Sequence, residues 1–352
     1  MLIFKRFSTL LTGVALFSAC LGSVAAYAEG EAGIISLRGQ GHFFVGGETY
    51  DVPGNPAAGP FGAPGLGMKN QMYVGYQLVA EPQHPYPLVL VHGGGGQASD
   101  WFSTPDDRDG WRDYFLAAGF DVYWIDRPGY GRSPTNTAYG ELAGGATSGL
   151  IKFLSTSDLW PGDLDNPRDQ SLLNWLASSP PGPYAGNEIA ATDLSLLLDR
   201  IGPAIVITHS AGGMTGWWAM DDNPENVAGL IAIEAVGSNI LGEDVRPGIT
   251  FSPALSGNLT ADAEGCMLQS AGSVSRLPNL SNAPVVLVGA PLGLTQALGL
   301  GCGAKTLRQA GVDASFTYLP DLGIDGNGHF MMADTNNGEV AEVIINLAIE
   351  ME

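Results

Sequence analysis

Six stretches of this chain are apolar without alternation: "PLVLV" at 87–91, "DVYWID" at 121–126, "AIVIT" at 204–208, "VAGLIAI" at 227–233, "APVVLVGA" at 283–290 and the shorter "ASFTYLP" at 314–320. Strands buried on both faces read this way, because neither side of the pleat meets water. Between them lie stretches with helical spacing, "GWRDYFLAAG" (110–119), "NEIAATDLSLLLDRIG" (187–202), "GGMTGWWAM" (212–220), "KTLRQAG" (305–311) and "EVAEVIINLAIE" (339–350). Two runs with strand character, "GHFFVGG" (41–47) and "MYVGYQLVA" (72–80), precede the alternation. Strand and helix in turn predict an α/β fold with a mostly parallel central sheet and helices on both faces. Two segments break the rhythm. Residues 135–186 carry Trp160, Trp175 and "SSPPGPY", and 238–282 are rich in Gly, Ser, Asn and Pro. Insertions at the C-terminal edge of such a sheet lie where ligands bind, so the first is read as a cap and the second as a loop-rich insertion of one domain spanning 29–352.

The first residues change where that domain is expected to work. Lys5 and Arg6 precede an apolar run from Phe7 to about Val24, followed by Ala26-Tyr27-Ala28, which is the order of a secretory signal peptide cut after Ala28. The run is short for a membrane anchor. A second alternative is a lipoprotein cut at Cys20. In either case the expected location is secreted or periplasmic, and Cys266 and Cys302 remain as a pair in an oxidising compartment, where a disulfide is expected.

Removing 28 residues leaves 352 − 28 = 324, enough for one large core. With Lys5 and Arg6 gone, and no acid among residues 1–28, the formal net charge of −21 becomes −23. A field of that sign repels phosphate backbones, which argues against nucleic acid as a partner. A small-molecule substrate is the expected partner, and a homodimer stays open. The fifty glycines and 23 prolines indicate many loops, but 45% hydrophobic residues argue against disorder. No cysteine and histidine spacing suggests a metal.

The candidate chemistry centres on "ITHSAGGM", 207–214, where an apolar strand ends at Ser210 and a helix pattern starts immediately behind it. A serine hydroxyl attacks only if a base takes its proton and donors hold the oxyanion that forms. A strand, a sharp turn and a helix N-terminus would supply the Ala211 N–H as one donor. The usual Gly-x-Ser-x-Gly elbow has glycine where this chain has Thr208, a branched residue at a crowded place. The second donor is expected from "VHGGGG", 91–96, with Gly94 chosen and Gly93 and Gly95 close behind, since glycine lets the main chain approach the developing charge.

Of five histidines, only His329 in "DGNGHFMMAD" follows the last expected strand, which makes it the candidate base. His209 adjoins the serine in sequence, but its strand and turn should direct it elsewhere. The acid is less obvious, because "VVLVGAPLGLTQALGLGCGAK" contains no carboxylate where one is customary. Glu234 ends an apolar strand, and burying it there would be costly without a partner such as an imidazolium. It is assigned to hold His329, with Asp325 as the alternative.

Taken together, "THSAG", "HGGGG", "DRPGYGRS" and the late "GHF" resemble the α/β-hydrolase superfamily over essentially the whole mature chain. The export signal, the glutamate 24 residues beyond the serine, and "GHFFVGG" are similar to the secreted bacterial serine esterases of the esterase 713 type. That resemblance implies a carboxylic-ester hydrolase with Ser210, Glu234 and His329 as its triad and no cofactor. An amidase, a peptidase or a polyester depolymerase would share the triad, and a non-catalytic binding protein could keep the fold. Dehalogenases and epoxide hydrolases carry aspartate where this chain has Ser210. Trp101, Trp160, Trp175, Trp217 and Trp218 are candidates for an aromatic substrate surface, with core the expected role of the last two.

Overall fold

A computed structural model describes residues 33–136, 139–141, 144–243, 245–255, 258–272 and 274–352. The expected signal peptide, residues 1–28, and Cys20 lie outside the described residues. Eight strands form one sheet in the order β1 (Leu37–Val52), β2 (Gly65–Val79), β4 (Val122–Asp126), β3 (Leu88–Val91), β5 (Ala204–His209), β6 (Val227–Ile233), β9 (Val285–Gly289) and β10 (Ala314–Tyr318). From β4 to β10 every neighbouring pair is parallel, while β1 and β2 form an antiparallel hairpin whose second strand pairs antiparallel with β4. All six apolar runs are strands of this sheet, as an α/β reading requires.

Helices cover both faces. One core unites α4 (Asn187–Ile201), α5 (Gly213–Asp222) and α6 (Leu300–Gln309) with residues such as Val89, Val206 and Leu287. The other packs α1 (Trp111–Ala117) and α7 (Asn337–Ile349) on Leu88, Ile205 and Ile231. Helix α6 begins five residues before its expected start at Lys305, at Leu300, because Leu300, Gly303 and Ala304 are buried despite their glycine-rich context.

The two insertions hold more order than their composition suggests. Residues 135–186 contain α2 (Ser148–Leu154) and α3 (Gln170–Ser178), started by side-chain caps: Thr147 Oγ1 accepts the Leu150 N–H at 3.3 Å and Asp169 Oδ1 accepts the Leu172 N–H at 3.2 Å. The other insertion forms a two-stranded ribbon of β7 (Leu259–Ala261) and β8 (Met267–Gln269). A disulfide between Cys266 and Cys302 ties this ribbon to α6. Closing a loop with a sequence separation of 36 stabilises the fold by about 3–4 kcal/mol on chain-entropy grounds.

Strand β1 bends at Gly46 and Gly47, both at positive φ, while its pairing with β2 continues on either side. A Cβ on Gly46 would overlap the Asp193 carboxylate of α4, so glycine is required there for the helix to pack. Asp193 is 3% exposed and its Oδ2 has no partner among the described residues. Burial pushes its carboxyl up to about 7, against 3.8 in a free side chain. Between those values the folded chain holds a proton that the unfolded chain has lost, so stability declines as pH rises through this window and levels off above it. Asp193→Asn removes the penalty. Thermal unfolding should show a gain on the order of 1–3 kcal/mol at pH 8 and almost none at pH 3.5.

Candidate active site

Every residue singled out for chemistry follows the C-terminal end of a strand, which gathers them along one edge of the sheet. Ser210 follows β5 and has φ 51°, a left-handed conformation that a non-glycine residue adopts only when its surroundings enforce it. The next turn and α5 run back under the sheet, and the Val236 N–H holds the Ser210 carbonyl at 2.8 Å. The tight return depends on small residues. A Cβ on Gly212 would come 2.4 Å from the His92 carbonyl oxygen, and one on Gly213 would come 2.3 Å from that of Val236. Thr208 is accommodated from the helix side, since Gly216 of α5 faces it and a Cβ there would approach Thr208 Cγ2 to 2.5 Å. The space that glycine would leave on the strand is therefore left on the helix instead.

The Ser210 hydroxyl lies 2.9 Å from His329 Nε2, and His329 Nδ1 lies 2.8 Å from Glu234 Oε2. With Glu234 ionised, Nδ1 carries a proton and donates it, leaving Nε2 to accept from the serine. His329 is 1% exposed and Glu234 is fully buried. The carboxylate is satisfied in full. Oε1 accepts from the Ala290 N–H at 3.1 Å and the Thr295 hydroxyl at 2.5 Å, and Oε2 also accepts from the Leu294 N–H at 2.6 Å. Burial alone would raise this carboxyl, but the bonds from His329, Thr295 and Leu294 outweigh it and hold the group below its ordinary range.

Those donors explain the loop that lacks an acid. The carboxylate comes from the end of β6, and the acid-free segment after β9 wraps it with two main-chain N–H groups and a hydroxyl. Gly293 must be glycine, because a Cβ there would lie 2.3 Å from Glu234 Oε2. Asp325 is exposed and does not meet His329, whose Nδ1 is taken by Glu234.

His209 points away from the serine hydroxyl, as its strand position requires. Its Nε2–H donates to the His329 carbonyl at 2.9 Å, and burial beside His329 lowers its pKa well below the usual histidine range. It is a neutral brace for the candidate base, a role that its place next to the serine in sequence does not suggest. Asp334 braces the same loop from within, accepting from Asn327 Nδ2 at 2.9 Å and the Gly328 N–H at 3.2 Å.

The glycine loop passes directly over the turn. A Cβ on Gly93 would lie 3.1 Å from Ser210 Cβ, and one on Gly94 would lie 3.2 Å from Ala211 Cβ. The backbone of the two expected oxyanion donors thus runs side by side. Phe330, the residue after His329, packs against Trp175 at 5.1 Å between ring centres, and Trp175 meets Trp160 edge-on at 5.9 Å. The 135–186 insertion also bonds to the histidine loop, through Asp158 N–H to the Gly326 carbonyl at 2.9 Å and Thr335 N–H to the Leu159 carbonyl at 2.8 Å. Trp101 and Trp217 are fully buried, while Trp218 is half-buried and donates to the Val245 carbonyl at 3.1 Å. These three belong to the core and not to an exposed aromatic surface. Among the described residues no cluster of three or more His, Cys, Asp or Glu could hold a metal ion, and no helix is long and apolar enough to cross a membrane.

Comparison with known proteins bears on the family and the fold. A family model described as alpha/beta hydrolase fold matches residues 86–263. A protein of Fungal sp. (strain ATCC 74256), named probable secreted lipase phiG, is 34% identical over 309 residues, covering 78% of this chain and 84% of its own. Among solved structures, a novel bacterial esterase superposes with a TM-score of 0.73 at 22% identity, covering 92% of this chain and 99% of its own, a likeness of fold.

Proposed function

The chain belongs to the α/β-hydrolase family, and on that premise we propose that it is a secreted carboxylic-ester hydrolase acting through an acyl-enzyme on Ser210. The observation that carries this reading is the unbroken line of hydrogen bonds from the Ser210 hydroxyl through His329 to Glu234. As Ser210 Oγ attacks the ester carbonyl carbon, its proton passes to His329 Nε2, and Glu234 stabilises the imidazolium that forms. The carbonyl oxygen becomes an oxyanion held by the Gly94 and Ala211 N–H groups. When the tetrahedral intermediate collapses, the bond to the alkoxy group breaks and His329 returns the proton to the departing alcohol. Water, losing a proton to His329, then attacks the acyl-enzyme, and as this second tetrahedral intermediate collapses the bond to Ser210 Oγ breaks, His329 returns the proton to that oxygen and the carboxylic acid leaves.

The mechanism uses only side chains and main-chain donors and calls for no cofactor. Secretion is supported by the name of the fungal relative, and residues 1–28 are assigned as the signal that would direct it. The 135–186 insertion, seated on the histidine loop through Trp175 and Phe330, is assigned to cover the acyl or alcohol side of the site. A fluorophosphonate probe should label the native protein on Ser210 alone, and a panel of p-nitrophenyl esters, a matched anilide and a polyester film should show turnover of the esters. Absence of labelling, or turnover of the anilide ahead of every ester, would overturn the reading.

A further inference from the structure

Four consecutive glycines present a problem that the site must solve. Glycine has no side chain to lock its peptide planes, so the plane joining Gly93 to Gly94 can rotate unless something holds it. In a planar trans peptide the N–H points opposite the C=O, and fixing the Gly93 carbonyl therefore aims the Gly94 N–H. That carbonyl accepts two hydrogen bonds. One comes from Arg127 Nη2 at 2.9 Å and the other from His92 Nδ1 at 2.8 Å. The His92 donor is unambiguous, because Nε2 of the same ring accepts the Arg127 main-chain N–H at 3.1 Å.

Arg127 is unusual for a charged residue. It is 4% exposed, and among the described residues it is paired with no carboxylate. Its guanidinium lies 4.5 Å over the Tyr130 ring, which stacks on Tyr184 at 3.5 Å. Asp126, the preceding acid, is occupied elsewhere, accepting from Arg132 Nε at 2.7 Å and from the Ala98 N–H at 2.8 Å. Burying a guanidinium without an anion is costly, and the aromatic shelf offsets only part of that cost.

We propose that Arg127 is a positioning residue for the oxyanion site: with His92 it clamps the Gly93 carbonyl, fixes the direction of the Gly94 N–H, and through its charge strengthens that donor. This rests on the reading of Ser210 and Gly94 given above. A charged donor on a peptide oxygen withdraws electron density and makes the opposite N–H a better donor in a dry site. The "RPGYGRS" run thereby acts on the reaction without touching substrate. Its contribution belongs to the transition state, in which the oxyanion exists, and not to binding of the ester.

The test uses the whole protein and the variants Arg127→Met and Arg127→Lys. Hydrolysis of a short-chain p-nitrophenyl ester should show kcat lowered by roughly 10- to 100-fold in R127M with KM unchanged, since misaiming a single donor by about 1 Å costs this much. Affinity for an aliphatic trifluoromethyl ketone, which adds the serine to form a tetrahedral oxyanion, should fall by the same factor. R127K, which keeps one charged donor, should recover part of both losses. If R127M does not fold, R127K carries the test through a kcat loss with unchanged KM. Equal trifluoromethyl ketone affinity in the native protein and a folded variant, or a loss residing in KM, would overturn the role of Arg127. A native protein that forms no adduct with the ketone would instead overturn the Ser210 reading, and this role with it.

Discussion

Ser210→Ala yields a folded protein whose hydrolysis of a chromogenic short-chain ester is about 10⁶-fold slower than that of the native chain, because removing a serine nucleophile disables the whole relay at once. The fold should survive, since the hydroxyl makes one bond, to His329 Nε2, and the elbow is built by neighbours that the substitution leaves in place. Those are the small residues Gly212, Gly213 and Gly216 and the bond from the Val236 N–H to the Ser210 carbonyl. Alanine does not relieve the backbone at φ 51°, but glycine does. Ser210→Gly should therefore be as inactive as S210A yet more stable by about 1 kcal/mol, the usual cost of a Cβ in the left-handed region. Measuring kcat and thermal unfolding for both variants separates the two roles of this position. Retained turnover in S210A would remove the nucleophile, and equal stability of the two variants would remove the strain.

The elements that position this serine are legible in the sequence because burial on both sheet faces leaves a simple signature, unbroken aliphatic runs ending in a polar residue. His92, Asp126, His209 and Glu234 all lie at or just beyond such ends, and the order of serine, glutamate and histidine fixes which groups can meet. What is harder to read depends on contacts between segments far apart in the chain. Gly216 answers Thr208 from a different element, and no local pattern announces that pairing. The brace that His209 gives the His329 carbonyl crosses 120 residues, and the Arg127 clamp on Gly93 crosses 34. Helices α2 and α3 had legible caps in Thr147 and Asp169, but glycine, proline and serine around them outweigh a signal from a single turn. The length of β1 and β2, 16 and 15 residues, was hidden by glycines that bend the strands without ending them.

Glu234→Gln tests the least conventional part of the site, the acid delivered from the end of β6. Each carboxylate oxygen accepts two donors, so a glutamine in the same place must turn its NH₂ toward donors on one side. If the NH₂ replaces Oε2, it faces the Leu294 N–H and donates to His329 Nδ1. The imidazole then carries its proton on Nε2, pointed at Ser210, and cannot take another. If it replaces Oε1, it meets the Ala290 N–H and the Thr295 hydroxyl, and the remaining neutral oxygen no longer stabilises an imidazolium. Either arrangement should lower kcat by about 10³- to 10⁴-fold, the range expected when a triad loses its charged orienting group. Stability should fall by about 1–3 kcal/mol, because buried donors are left facing a donor. Asp325→Asn should leave both unchanged, since that side chain is exposed and has no part in orienting His329. Because the bonds to Glu234 hold its carboxyl below the ordinary range, the stability it contributes in the native protein is present above pH 4.5 and lost as pH falls through its lowered folded value. Acid unfolding of E234Q should lack that component. A larger activity loss in D325N than in E234Q would transfer the orienting role to the histidine's own loop.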